Sequence, residues 1–545
     1  MRRASPRLRL AVGTVLTGAL MSMVLPAGRP AAAPAADDPV PVHQGVPGDG
    51  FDDEPPGEQD DTVGPGGTSS ATVPAPAAPV AGRPGDFRLA AGSDLSGLVE
   101  QLDAALPKQG LTALMEQANR TSGRGAEDCG ETAVHGSDLP LSDRVCWASD
   151  DATSTEWIPQ AITGVSDAQE DEDWGTSDSD PVAVGSYDDK NPGRSDYSAG
   201  RDSCVRPIAS DACNEKGVRV TFFNQATKKY RHVLLVWPFI NFYDHISFDA
   251  LHAREGVCYE VVTEDCAAQN GIHAGGMVWY GNYLYVADTA NGIRVFDLRR
   301  IMDLNPDNDS ATQDEMQDGL PSDLTDKKRS GRQNNVWYAY GYRYVMPQVA
   351  TLKFTAARHP GEVSENQCYS TKRPKASYLS LDRTGTDHMV LGEYCNTNAG
   401  GDSNGRVATY PMAALVAAVE GPPGTVADAD AAYGLPTGGS FDGEPLWHKI
   451  QGALRYEGRW YFHRSNAYGN GRLLQATAAG GELVGNPKTL QSAIGPEDLY
   501  LAHGRGDGFA PRLWSLSEHA PSACGSCERE LFSYPMSDVV SGFGS

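Results

Sequence analysis

The chain has 545 residues and a formal net charge of −26, from 71 acidic against 45 basic side chains. A surface of that sign neither neutralises phosphates nor adheres to anionic lipid, which argues against nucleic acid and membrane surfaces as partners and suits solubility outside the cell. The length allows several domains, although long stretches carry too few large apolar residues to join a core.

Residues 1–36 carry Arg2, Arg3, Arg7 and Arg9, then the apolar run 10–25, then Ala31-Ala32-Ala33 and Ala35-Ala36. A basic start, an apolar centre and small residues at a cut site are the order of a secretory signal peptide. The apolar run is too short and too early for a comfortable span, and no later stretch is long enough for one. The expectation is therefore a secreted, extracellular protein without a membrane span after signal removal, an uncleaved anchor being the rival. Residues 37–92 are mostly Pro, Ala, Gly, Asp and Glu, which predicts a disordered spacer.

The character changes over 93–125. Leu95, Leu98, Val99, Leu102, Leu106, Leu111, Leu114 and Met115 recur at helical spacing, with Ser93 or Asp94 as a cap and Pro107 as a break. Two short helices packed on the main domain are predicted. The ten cysteines fall as sequence neighbours: Cys129 with Cys146, Cys204 with Cys213, Cys258 with Cys266, Cys368 with Cys395, and Cys524 with Cys527. In an exported chain an even count favours disulfides, here local ones, although spacing alone does not prove connectivity. Cys524-Gly525-Ser526-Cys527 also has the form of half a zinc site or a redox pair. It lacks a second such motif and a thioredoxin-like setting, so a structural bridge is preferred.

Residues 126–545 read as β-rich. The clearest stretch has Met277-Val278-Trp279-Tyr280, Tyr283-Leu284-Tyr285-Val286 and Ile293-Arg294-Val295-Phe296 separated by Gly281-Asn282 and Asn291-Gly292. Aromatic and β-branched runs joined by residues tolerant of positive φ predict a meander of three strands with two-residue loops. Such a meander cannot bury its faces alone. Comparable runs begin near Gln160, Ser377, Gln451 and Glu497, giving units of short strands with a small or polar inner start and an aromatic second strand. The fold class is all-β, and the prediction is a β-propeller of five blades. A sixth blade from 244–262 is the expected miscount, and a β-sandwich is the outside alternative. Polar stretches at 303–335 and 421–439 are read as surface inserts that disturb the spacing. The first holds Gln313, Gln317, Lys327, Lys328 and Gln333, residue types suited to protein contact or cross-linking, and otherwise merely solvated.

Each unit opens with a polar group beside small residues, and inner strands of a propeller line its channel. Gln160, His273, Ser377, Gln451, Glu497 and Asp498 are therefore the candidate binding residues at the channel mouth. They suit a polar ligand, a cation or carbohydrate hydroxyls. Equally, they suit the satisfaction of backbone groups and channel water. Glu497 and Asp498 are adjacent carboxylates fit for acid/base work or calcium, and His273 is fit to be a general base. No phosphate loop, dinucleotide fingerprint or zinc-protease motif occurs, and no catalytic residue, metal site or cofactor is assigned.

The stretches from His273 to Thr289 and from Gly292 to Asp297, behind an arginine-rich leader and an Ala/Pro/Asp spacer, resemble a family of secreted actinobacterial β-propeller proteins. The resemblance spans roughly Cys129 to Ser537 and rests on blade motifs, so no contact residue carries over. It implies a propeller and, as in a member that binds metalloproteases and is a transglutaminase substrate, a binding function. The expectation is a monomeric binding protein for an extracellular protein or polysaccharide. The alternative is an extracellular hydrolase of glycans, esters or lactones working at the channel mouth with His273, Glu497 and Asp498.

Overall fold

The computed structural model describes residues 82–122, 133–168, 181–189, 216–241, 243–252, 272–306, 321–327, 329–364, 366–504, 509–524 and 527–544. Strands dominate them, arranged as antiparallel meanders taken in chain order. The first meander runs Trp157–Gly164, Val182–Asp188, Val218–Asn224 and Lys229–Ile240. The second runs Met277–Tyr280, Tyr283–Asp288, Gly292–Asp297 and Tyr344–Phe354, the last pairing in parallel with Lys229–Ile240. The third is Tyr378–Asp382, His388–Gly392, Arg406–Pro411 and Ala431–Gly434. The fourth is Ile450–Tyr456, Arg459–Arg464, Asn470–Ala479 and Glu482–Gly485. In the last, Pro496–Ala502, Arg512–Ser517 and Glu530–Pro535 are completed by Asp143–Cys146 from ahead of the first meander.

This arrangement is propeller-like. The space between each meander and the next is filled by a separate apolar cluster. Trp279 and Phe222 lie between the first and second, and Leu379 and Val295 between the second and third. Tyr378 and Phe462 lie between the third and fourth, and Leu454 and Leu513 between the fourth and last. Ile162, Val184 and Trp514 join the last to the first. The aromatic second strands noted in the sequence supply much of this filling, since each large buried side chain contributes about 1.5–3 kcal/mol of transfer free energy.

The inner strands approach one another closely at their starts. A Cβ on Gly276 would lie 2.0 Å from the Leu379 amide nitrogen, and one on Gly452 2.8 Å from that of Leu499. Both obstacles are backbone, which cannot move aside as a side chain can, so glycine is required.

Several expectations are corrected. The spacer ends before Gly92, because Pro84–Phe87 forms a helical turn and Leu89–Ala91 pairs with Tyr344–Phe354, burying Phe87 and Leu89. The predicted helices are present as Ser96–Ala105 and Leu111–Glu116, the first entered by a hydrogen bond from the Ser96 amide to Asp94 Oδ1 at 2.9 Å. Their segment then adds Arg120–Thr121 to the Lys229 strand. The 421–439 stretch is no mere insert, for it contains Ala431–Gly434, the fourth strand of the third meander. Within 303–335, Asp303 is buried against Arg343 at 2.7 Å and Ser330–Gln333 pairs with Val336–Ala339, while Gln313, Gln317 and Lys328 lie outside the described residues. The described part of the supposed sixth unit, Ile246–Ala250, is an added edge strand on Lys229–Ile240. Gly292 is not in the loop but in the ladder opposite Asp288, where a Cβ would meet Leu352 O at 2.2 Å.

Cys368–Cys395 and Cys524–Cys527 are disulfides, as predicted. Cys146 is disulfide-bonded as well. Cys129, Cys204, Cys213, Cys258 and Cys266 lie outside the described residues. No described helix is long and apolar enough to cross a membrane.

Candidate functional site

Of the six polar residues predicted at the inner-strand starts, two, Gln451 and Glu497, bond each other, and Gln160 and Asp498 are bonded elsewhere. Gln451 Nε2 donates to Glu497 Oε1 at 3.0 Å, tying Ile450–Tyr456 to Pro496–Ala502. Gln160 Nε2 donates to Glu518 Oε2 at 3.0 Å, tying Trp157–Gly164 to the end of the last meander's second strand. Asp498 Oδ2 accepts from the amides of Ile162 and Met277, both at 3.3 Å, and so spans the first, second and last inner strands. Between them, the Trp279 amide donates to Thr163 Oγ1 at 3.0 Å and Ser380 Oγ donates to Ala453 O at 2.6 Å. These bonds replace water for backbone that is too deep to be solvated.

Local irregularity aims these side chains. The ladder shifts register between Pro159 and Ala161, between Ile450 and Gly452, and between Pro496 and Leu499. Bulges of this kind redirect a side chain out of the alternating pattern. Glu497 and Asp498 consequently serve different neighbours and do not form the acid/base pair that their adjacency suggests. Asp498 is 0 % exposed, and burial raises its carboxyl well above the usual range, against the opposing effect of the amides it accepts from.

His273 is half-buried beside Tyr187, ring centroids 4.7 Å apart, and burial lowers its imidazole to about 4. A base that weak abstracts protons poorly at neutral pH. Ser377 lies where its carbonyl meets Gly275, 2.2 Å from a Cβ placed there. Three enclosed atoms at this end of the ring, His273 Nδ1, Ser377 Oγ and Asp498 Oδ1, have no partner among the described residues. In native proteins such atoms are met by water or ligand. The described residues bring together one group with metal-ligating types, Cys368, Glu393 and Cys395, and its two cysteines are joined as a disulfide.

Two clusters escaped the sequence reading. His463 lies directly behind the axial carboxylates, its Nδ1 3.2 Å from Glu497 O and 3.0 Å from Ser515 Oγ, and burial lowers it to about 3. Asp151, in the short helix Ser149–Ala152, accepts from Arg120 Nη1 at 2.9 Å, Arg219 Nη2 at 2.8 Å and Tyr230 Oη at 2.7 Å, with His232 Nε2 at 3.3 Å. Burial alone raises this carboxyl, but the His232 hydrogen bond and the Arg219 and Arg120 charges outweigh it and hold Asp151 ionised. His232 is lowered to about 4, by burial first and Arg219 second, so its neutral ring donates from Nε2 to Asp151. Its Nδ1 then accepts from Thr221 Oγ1 at 2.7 Å. Thr221 and His232 are direct cross-strand partners, which accounts for their contact as a feature of the ladder.

No family model and no curated relative matches the chain. Among solved structures it is similar to a GH43_1 enzyme from Xanthomonas citri, at 8% identity over 70% of this chain and 88% of that one, with TM-score 0.28. It is also similar to a β-xylosidase, at 10% identity over 70% and 92%, with TM-score 0.29. A third is PhoX of Pseudomonas fluorescens, at 8% identity over 86% and 99%, with TM-score 0.30. Likenesses of this degree decide nothing about chemistry. The strand order and the contacts above carry the description.

Proposed function

We propose that the chain is a secreted, monomeric five-bladed β-propeller that binds an extracellular macromolecule and does no chemistry at its axis. The count of five takes each meander as one blade and is supported by the closing strand Asp143–Cys146, which completes the last. The observation that carries the binding reading is the use of the axial polar groups: Gln451 is spent on Glu497, Gln160 on Glu518, and Asp498 is buried and bonded to backbone amides. A scaffold whose inner polar groups hold its strands together offers its outer loops to partners. The sequence resemblance makes a secreted metalloprotease the partner of choice, as for the streptomycete dispase autolysis-inducing protein.

The test is biolayer interferometry of the purified chain against a panel of secreted metalloproteases, with protease activity followed in parallel. Saturable binding to at least one of them is expected. No binding to any, with every activity unaltered, overturns the reading. The hydrolase alternative draws its support from the unpartnered atoms of His273, Ser377 and Asp498, which a polar ligand would satisfy.

A further inference from the structure

The connection between Tyr344–Phe354 and Tyr378–Asp382 carries the most exposed large apolar side chain of the described residues, Val363, at 70 %. A single apolar residue at a surface needs no explanation by itself. Here, however, the backbone on both sides of it is fixed. At the base of the loop the Arg373 amide donates to Ala357 O at 3.0 Å. His359 and Tyr369 stack with ring centroids 3.7 Å apart and planes 15° from parallel. Tyr369 Oη donates to Gly361 O at 2.6 Å, the Gly361 amide donates to His359 Nδ1 at 3.1 Å, and the Glu362 amide donates to His359 O at 3.0 Å. The Val363 amide itself donates to Gln367 Oε1 at 2.9 Å, while Gln367 Nε2 donates to Ala399 O at 2.7 Å. Cys368, the next residue, is joined to Cys395.

None of residues 357–364 is buried, so these bonds shape a surface loop and support no core. The two other valines with large exposure, Val426 and Val484, lie in strand ladders whose pairing fixes their backbone. Val363 has no ladder, and side-chain bonds hold its backbone in place instead. A loop ordered in this way has met its entropy cost on folding, so the cost does not recur when a partner binds. It projects outward, and its complement is therefore a concave apolar pocket. A peptidase takes its targets in that form, with one side chain in a specificity pocket and the flanking backbone laid out beside it. We infer that Val363 is the anchor that enters the apolar substrate pocket of the secreted metalloprotease, with residues 358–364 as the contact loop. This assignment rests on the protease reading above and places the contact on a loop, away from the axial groups.

The experiment measures binding of the full chain and its variants to the panel of metalloproteases, each with its active site open and with it filled by an apolar hydroxamate. Val363→Ala is expected to weaken binding about tenfold, from the two methyl groups lost. Val363→Asp is expected to weaken it at least about a hundredfold, because it carries a charge into an apolar pocket. Since Val363 is exposed, both variants are expected to keep the circular dichroism and urea midpoint of the natural chain. Gln367→Ala leaves Val363 in place, loosens its backbone, and is expected to weaken binding severalfold. Val484→Asp is the control and is expected to bind as the natural chain does. Unchanged affinity of Val363→Asp, or undiminished binding to the filled protease, overturns the assignment and leaves the protease reading standing. Binding to no metalloprotease overturns both. A dimer of the natural chain in sedimentation that Val363→Asp disperses gives the loop to a second copy and overturns the assignment as well.

Discussion

Asp498→Asn is expected to leave the protein folded, with a stability change below about 1 kcal/mol, whereas Asp498→Leu is expected to cost about 2–6 kcal/mol. The contrast follows from the acceptor that the side chain supplies. Burial pushes the Asp498 carboxyl up, and its Oδ2 accepts from the Ile162 and Met277 amides. An asparagine carbonyl presents the same acceptor at the same reach. Leucine removes it and strips two buried donors at about 1–3 kcal/mol each. Because those donors belong to different inner strands, the loss acts on the joint between meanders and not within one of them. Urea unfolding of the three proteins measures the difference. Equal destabilisation by Asn and Leu would show that an ionised carboxylate is needed there.

The second large effect is at Asp151. Asp151→Asn is expected to destabilise by about 3–5 kcal/mol, the cost of leaving a buried arginine without its counter-charge. Asp151 accepts from Arg219 and Tyr230 of the first meander and from Arg120, and it lies just after the strand that closes the last meander. It therefore clamps the closing segment to the body. A double-mutant cycle of Asp151→Leu and Arg219→Met checks this: the pair is expected to lose clearly less than the sum of the single losses. Faster hydrogen exchange over Asp143–Cys146 should accompany Asp151→Asn. Additive losses with unchanged exchange would remove Asp151 from that role.

The recurrence of a polar residue beside small ones at each unit's start was legible because close packing at the axis imposes it on the sequence directly. What those residues bond to was not. Gln160 and Glu518 are 358 positions apart, and no local pattern links them. The strand Ala431–Gly434 escaped because its residues have weak strand preference, and pairing with Arg406–Pro411 decides its conformation. Gly292 was misread as a turn glycine, since the sequence does not distinguish a tight turn from a close approach of Leu352. Phe87 and Leu89 are isolated apolar residues in a polar, proline-rich context, and only the groove they fill makes them core. Asp151 and Arg529 look like surface charges in sequence. Their burial arises from where the closing segment lands.

The most direct test of the central claim is a hydrolase screen over glycosides, esters and lactones, run on the natural chain and on Glu497→Gln/Asp498→Asn, with metalloprotease binding measured for both. If the axial groups are structural and the protein is a binder, neither chain hydrolyses any substrate above background and both bind with the same affinity. Hydrolysis by the natural chain that the folded double variant loses would contradict that account.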